Sequence, residues 1–122
     1  MSENVYHSVS TRNHPEIIIG YDNNIFKITG RCIMEDAQTF FLNLMDRLSS
    51  MNEMKIIIDL EYLNSSSLRH LIFILGSKLS ISEIEWNYQE EDFDVEEKGE
   101  DIKHVVLIKK PNVKFTIIEK PI

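Results

Sequence analysis

Hydrophobic residues fall into blocks of two kinds along this chain. Ile17-Ile18-Ile19 and Ile25–Thr29 are short β-prone runs flanking the polar stretch Tyr21-Asp22-Asn23-Asn24. Asn and Asp tolerate left-handed backbone angles, so the spacing predicts a hairpin. After Gly30, Ala37, Phe40, Phe41, Leu44, Met45 and Leu48 recur at intervals of three and four, one face of an amphipathic helix opened by Glu35-Asp36. Lys55-Ile56-Ile57-Ile58-Asp59-Leu60 does not alternate cleanly and predicts a central strand buried on both faces. A polar connection, Glu61–Ser67, leads to a second helix marked by Leu68, Leu71, Ile72, Leu75 and Leu79. Ile84, Trp86 and Tyr88 alternate with Glu85 and Asn87, the pattern of a half-buried strand. The acid-rich stretch that follows reads as loop and then a short helix through Ile102, Val105 and Val106. Val113, Phe115 and Ile117 predict a last strand.

Strands alternating with helices imply an α/β fold: a single mixed β-sheet of about five strands packed with two main helices, joined by right-handed crossovers. At 122 residues the chain suits one domain. The expected division is a flexible N-terminal lead-in over residues 1–14, rich in Ser, Asn and Thr, and a single α/β domain over 15–122.

Charge alters this picture in one place. The net charge is −7, and the segment 90–101 holds eight acids against Lys98 alone; the remainder has 12 acids and 12 basic residues. An acidic chain without a basic stripe is a poor nucleic-acid binder, so no nucleic-acid partner is expected. The longest apolar run, Leu71–Leu75, is far short of the ~20 residues a membrane span needs. With no signal-peptide pattern and one cysteine, Cys32, the expected location is cytoplasmic, with no membrane contact, and Cys32 reads as a small buried residue. The four histidines lack zinc-ligand spacing. Asp92-x-Asp94 fails as a calcium loop, because the sixth and twelfth positions would be Glu97 and Lys103. No metal and no cofactor are expected. The acidic run reads as solvated or as steering a basic partner, with Phe93 and Val95 as its anchors to the body.

Chemistry concentrates where the central strand hands over to the second helix. Asn64, Ser65, Ser66 and Ser67 stand at a helix start, where free N–H groups and the helix dipole favour an anion. Plain capping is the commoner reading of such a cluster. The sharper one is phosphorylation, which would add about −1.5 to −2 charges and three acceptor oxygens. Arg69, four residues beyond Ser65, could reach back to that phosphate, and Glu61 would oppose it. A serine hydrolase is the third reading. It lacks the Gly-x-Ser-x-Gly elbow, and His70 is badly spaced from Ser65; no catalytic residue is assigned.

The run Leu60–Arg69 resembles the Asn-Thr-Ser-Ser-Ser-Lys signature of SiaC-type regulatory phosphoproteins, a bacterial family formerly classed as a domain of unknown function. Gly30–Ala37 with Phe40 and Phe41 resembles that family's Gly-Arg-Ser-Tyr-Pro-Glu-Asn-Ala followed by aromatics. Trp86 and Tyr88, Glu90–Asp94, and Gly99-Glu100-Asp101 are similar to its Trp-x-Tyr, acidic run and Gly-Glu-Asp; Ile117-Ile118-Glu119 is similar to its last strand. The resemblance runs from about Glu16 to Glu119. It implies a STAS-like fold, as in anti-sigma-factor antagonists, and a phosphorylated hydroxyl that maps onto Ser65, with Ser66 and Ser67 as competing acceptors. It also implies a histidine-kinase-like Ser/Thr kinase, a PP2C-type phosphatase and, in some members, a diguanylate cyclase activated by the bare form. This chain departs from the pattern in having Ser for Thr at Ser65 and Cys32-Ile33-Met34 for Ser-Tyr-Pro.

The expectation is a non-enzymatic, partner-switching signal protein. Its binding face would combine Glu61, Asn64, Ser65, Ser66 and Arg69 with Glu91, Asp92 and Asp94. The alternative is an anti-sigma-factor-antagonist-like or constitutive scaffold protein in which the serines only cap the helix.

Overall fold

The computed structural model describes residues 4–121; residues 1–3 of the expected lead-in, and Ile122, lie outside the described residues. The elements follow in the order β1 (Val5–Ser8), β2 (Glu16–Gly20), β3 (Ile25–Cys32), α1 (Ala37–Leu48), β4 (Met54–Leu63), α2 (Ser65–Leu75), β5 (Ile81–Gln89), α3 (Phe93–Lys109) and β6 (Lys114–Lys120). They form a mixed α/β fold with one six-stranded sheet in the order β1-β2-β3-β4-β5-β6. The first three strands are antiparallel neighbours, and β3 to β6 are parallel neighbours joined through the three helices. Successive right-handed crossovers that all step the same way stack their helices on one face. The core lies there: Phe26, Ile28, Ile56, Ile58, Ile84 and Trp86 from the strands are fully buried against Phe41, Leu48, Leu71, Ile74 and Ile102 from the helices.

The structure departs from the sequence-based expectation in four places. Val5–Ser8, assigned to a loose lead-in, forms an edge strand paired with Ile17–Gly20. Its burial is only partial, so it leaves little hydrophobic signal. β4 was expected to be buried on both faces, yet it alternates: Met54, Ile56, Ile58 and Leu60 are buried, while Lys55, Ile57 and Asp59 are half-buried. Ile57 lies on the open face in a cross-strand row between Lys27 and Glu85, whose aliphatic stems can shelter it. The acidic segment is not loop followed by a short helix. From Phe93 onward it is a continuous 17-residue helix. Finally, α2 runs from Ser65 and stops at Leu75, capped at Gly76, so Leu79, counted among its apolar positions, lies beyond it.

Gly99 explains the long helix. It lies on the buried face with Val95, Ile102 and Val106, at spacings of four, three and four. A Cβ at Gly99 would meet the Trp86 ring at 2.5 Å. The glycine is there for close approach, and the indole N–H donates to the Val95 carbonyl at 3.0 Å on the same helix.

Candidate functional site

A β-bulge shapes the strand edge that leads into α2. β3 and β4 pair in register up to Gly30 and Leu60; the next pair is Arg31 with Tyr62, so Glu61 is an extra, unpaired residue. Gly30 supplies the positive φ of 107° on the opposite strand, which a side chain would strain. Without the bulge, strict alternation would turn Tyr62 into the core. Instead Tyr62 is 57% exposed and Leu63 takes the buried position. The Arg31 guanidinium lies 4.9 Å from the centre of the exposed Tyr62 ring.

Asn64 then caps α2. Its backbone is extended (φ −79°, ψ 169°), its Oδ1 accepts from the Ser67 N–H at 2.9 Å, and its own N–H donates to the Cys32 carbonyl at 3.2 Å. These bonds secure the helix start and leave the Ser65 hydroxyl without a hydrogen bond among the described residues. The period of the helix separates the three serines. Ser67 shares the buried face with Leu71, Ile74 and Leu75 and is fully buried. Its hydroxyl donates to the Met34 thioether at 3.7 Å. Ser65 is exposed and Ser66 half-buried. Cys32 is sealed beneath, beside Met34. Burial pushes its thiol up to about 11, against a smaller opposing effect of the Ser67 hydroxyl.

Ser65, Arg69 and Phe73, each four residues apart, form the outer stripe of α2, and all three are exposed. No ion pair of the described residues involves Arg69. His70 donates from Nδ1 to the Ser66 carbonyl at 2.7 Å and stacks on Phe41, with ring centres 6.0 Å apart. It is thus a helix and core contact, with no hydrogen bond to Ser65.

The expected binding residues fall into two groups. Asn64, Ser65, Ser66 and Arg69 share the first turns of α2. Glu61 and Asp92 line a cavity of about 530 Å³ at the carboxyl ends of the strands, together with Tyr62 and an ion pair between Lys120 and Asp59. Asp92 caps α3 by accepting from the Val95 N–H at 3.3 Å, and Glu91 occupies the preceding turn with φ 71°. Asp94 points to solvent and pairs with Lys98 one turn on, at 2.5 Å. Of the two suggested anchors of the acidic segment, Val95 is buried and Phe93 is 71% exposed. Among the described residues, no cluster of three His, Cys, Asp or Glu side chains could hold a metal ion, and no helix is long and apolar enough to cross a membrane. The sequence reading missed Tyr62 and Arg31; a glycine within a strand, the usual mark of a bulge, was the available signal.

A family model described as SiaC family regulatory phosphoprotein matches residues 9–120. No curated protein matches in sequence. Among solved structures, SiaC of Pseudomonas aeruginosa superposes with a TM-score of 0.76 at 17% identity, over 98% of this chain and 100% of that one. Apo-SiaC from the same organism gives 0.74 at 20% identity, over 96% and 98%. The crystal structure of diguanylate cyclase SiaD in complex with its activator SiaC, also from P. aeruginosa, contains a chain that gives 0.78 at 18% identity, over 94% and 99%. At these identities the structural likeness is one of fold.

Proposed function

Because the chain belongs to the SiaC family of regulatory phosphoproteins, we propose that it is a partner-switching signal protein whose switch is Ser65. A histidine-kinase-like Ser/Thr kinase adds phosphate to Ser65 and a PP2C-type phosphatase removes it. The bare form binds and activates a diguanylate cyclase; in P. aeruginosa, SiaC is the activator of the diguanylate cyclase SiaD. The chain itself then needs no catalytic machinery and acts in the cytoplasm, where such enzymes meet it.

One observation carries this reading: the Ser65 hydroxyl is exposed and uncommitted at a helix start that Asn64 already caps. If the serines served only as caps, Ser65 would be expected to hold a backbone N–H, and that bond is made by Asn64. The competing acceptors are less suited. Ser67 is fully buried with its hydroxyl on Met34, and reaching it would require opening α2. Ser66 is half-buried, and its carbonyl is tied to His70. A phosphate on Ser65 would lie beside the first-turn N–H groups and one turn from Arg69, both of which favour its charge.

The test is intact-mass measurement after incubation with the cognate kinase and ATP. Wild type and the Ser67→Ala variant should each gain one phosphoryl group, and Ser65→Ala none. Labelling of Ser65→Ala to the wild-type level would move the switch to another residue.

A further inference from the structure

The sheet ends on two unlike edges. β1 is only four residues long, and a short edge strand offers little to pair with. β6 is seven residues long and follows β5 without a bulge. The Lys120 carbonyl accepts from the Glu90 N–H at 2.8 Å, so Lys120 directs its backbone groups to β5. These groups alternate along a strand. Thr116 and Ile118 therefore also bond to β5, while Phe115, Ile117 and Glu119 turn theirs away from the sheet. No backbone hydrogen bond among the described residues meets that outer side. Such an unpaired row is a template for another strand.

α3 lies over β5 and β6 and overhangs this edge. Lys109 packs against Gly76 at the end of α2, which fixes one flank of the helix. Glu96 marks the other flank, beside the Tyr88 hydroxyl that also approaches Glu119 of β6. Glu100, Lys103 and Leu107 follow Glu96 at spacings of four, three and four, so they share its flank. They edge a shallow cavity of about 370 Å³, and Leu107 is half-buried there. No ion pair of the described residues uses Glu100 or Lys103.

Both features are self-complementary. An antiparallel pairing of two β6 strands about Thr116 sets Phe115 opposite Ile117 of the other copy, twice, and Thr116 opposite Thr116. Aromatic–β-branched and Thr–Thr pairs are favoured cross-strand neighbours. Phe115 and Ile117 are the residues with outward backbone groups, so each such pair exchanges both of its hydrogen bonds. Lys114 then faces Ile118. Moving the axis to Ile117 would instead set Lys114 against Lys120, two like charges. At about 1.5 Å per helical residue and about 3.3 Å per strand residue, Lys103 comes level with Thr116, counting from Glu96 and Glu119. Strands about 4.8 Å apart would place the two α3 helices about 10 Å from each other, an ordinary helix-packing distance. Glu100 of each copy then meets Lys103 of the other, and each Leu107 is covered. We infer that the β6 edge and the α3 flank above it form a two-fold interface with a second copy of this chain, which joins the two six-stranded sheets into one. The surface uses neither α1 nor α2 and stands apart from the reading of Ser65.

The test is sedimentation velocity of the full chain from about 1 to 100 µM. Chains of 14.3 kDa should convert to pairs as the concentration rises. Ile117→Pro removes an outward N–H and spares the bonds to β5, so it should fold with a wild-type circular dichroism spectrum and remain a monomer. Lys103→Glu and Glu100→Lys should each weaken association roughly tenfold, and together they should restore it. Thr116→Cys should cross-link two copies under mild oxidation, because residues facing each other in a non-hydrogen-bonded pair lie about 4.5 Å apart at Cα, within disulfide reach. Ile118→Cys should not, since its counterpart lies four strand residues away, about 13 Å. Cys32 is buried and does not compete.

A wild-type chain that stays monomeric throughout this range would overturn the interface, as would a dimer that Ile117→Pro leaves intact. Charge reversals that add rather than compensate would remove α3 from it. Cross-linking through Ile118→Cys in place of Thr116→Cys would overturn the register. If Ile117→Pro fails to fold, the two cysteine variants decide alone.

Discussion

Three adjacent serines with the same hydroxyl meet three different fates because α2 turns by about 100° per residue. Ser67 points inward with Leu71, Ile74 and Leu75, Ser65 points outward with Arg69 and Phe73, and Ser66 lies between. The sequence was enough to place this cluster at a helix start, and the family resemblance makes Ser65 the expected acceptor among the three. It does not separate the serines physically, because the apolar spacing of the helix first shows at Leu68. Extending the apolar spacing back from Leu71 by one turn reaches Ser67, and that was the available signal. A division of labour follows that stability measurements can check. Asn64→Ala removes the cap that holds the Ser67 N–H and should cost about 1 kcal/mol, a fall of about 4 °C in Tm. Ser65→Ala removes a hydroxyl with no partner and should stay within about 0.5 kcal/mol of wild type. If thermal unfolding ranked the two the other way, Ser65 would be a structural residue, and its exposure would have to be explained differently.

Among the elements, α3 was the hardest to foresee. Its first half is so acidic that the low mean hydropathy suggests a solvated run, and Gly99 suggests a break. Four buried positions suffice to hold it: Val95, Gly99, Ile102 and Val106 keep a narrow stripe on the sheet, while the acids occupy the rest of the circumference. The same stripe accounts for the Trp-x-Tyr and Gly-Glu-Asp motifs in terms of packing. Trp86 fills the space beneath Gly99 and bonds to Val95, so these residues seat the helix that carries five of the eight acids of the segment 90–101. Gly99→Ala is then an instructive exchange. Helix propensity alone would favour alanine by up to ~1 kcal/mol. The indole lies 2.5 Å from the added Cβ, fully buried and fixed by its own hydrogen bond, so it cannot yield cheaply. Overpacking of this kind costs about 1–3 kcal/mol, and a net loss of about 2 kcal/mol is expected from urea unfolding, with a change in Trp86 fluorescence. A variant as stable as wild type would mean that α3 can slide on the sheet.

At the scale of the whole molecule, the strand-and-helix alternation correctly foretold a mixed sheet with parallel crossovers. The open second face was not foreseen, because three consecutive isoleucines in β4 look alike whether the middle one meets a helix layer or the stems of Lys27 and Glu85. The last strand, β6, is joined to the rest of the molecule not only by β5 but also through Tyr88, whose one hydroxyl proton is shared between Glu96 on α3 at 3.1 Å and Glu119 on β6 at 3.4 Å. One phenol thus links two elements on either side of β5. Burial, and then the two carboxylates beside it, push the Tyr88 hydroxyl up to about 12. An unfolded tyrosine ionises near 10. A folded-state value above the unfolded one means that the link stabilises the protein fully below about pH 10, and that this contribution is lost as pH rises from about 10 to about 12. Lysines also titrate in this range, so the informative quantity is the difference between wild type and Tyr88→Phe. The variant should be less stable at pH 8, with a lower urea midpoint, and the gap should close on going to pH 11.5. A gap that stayed constant across that interval would show that the phenol makes no proton-linked contact with Glu96 and Glu119, and α3 and β6 would then be joined by packing alone.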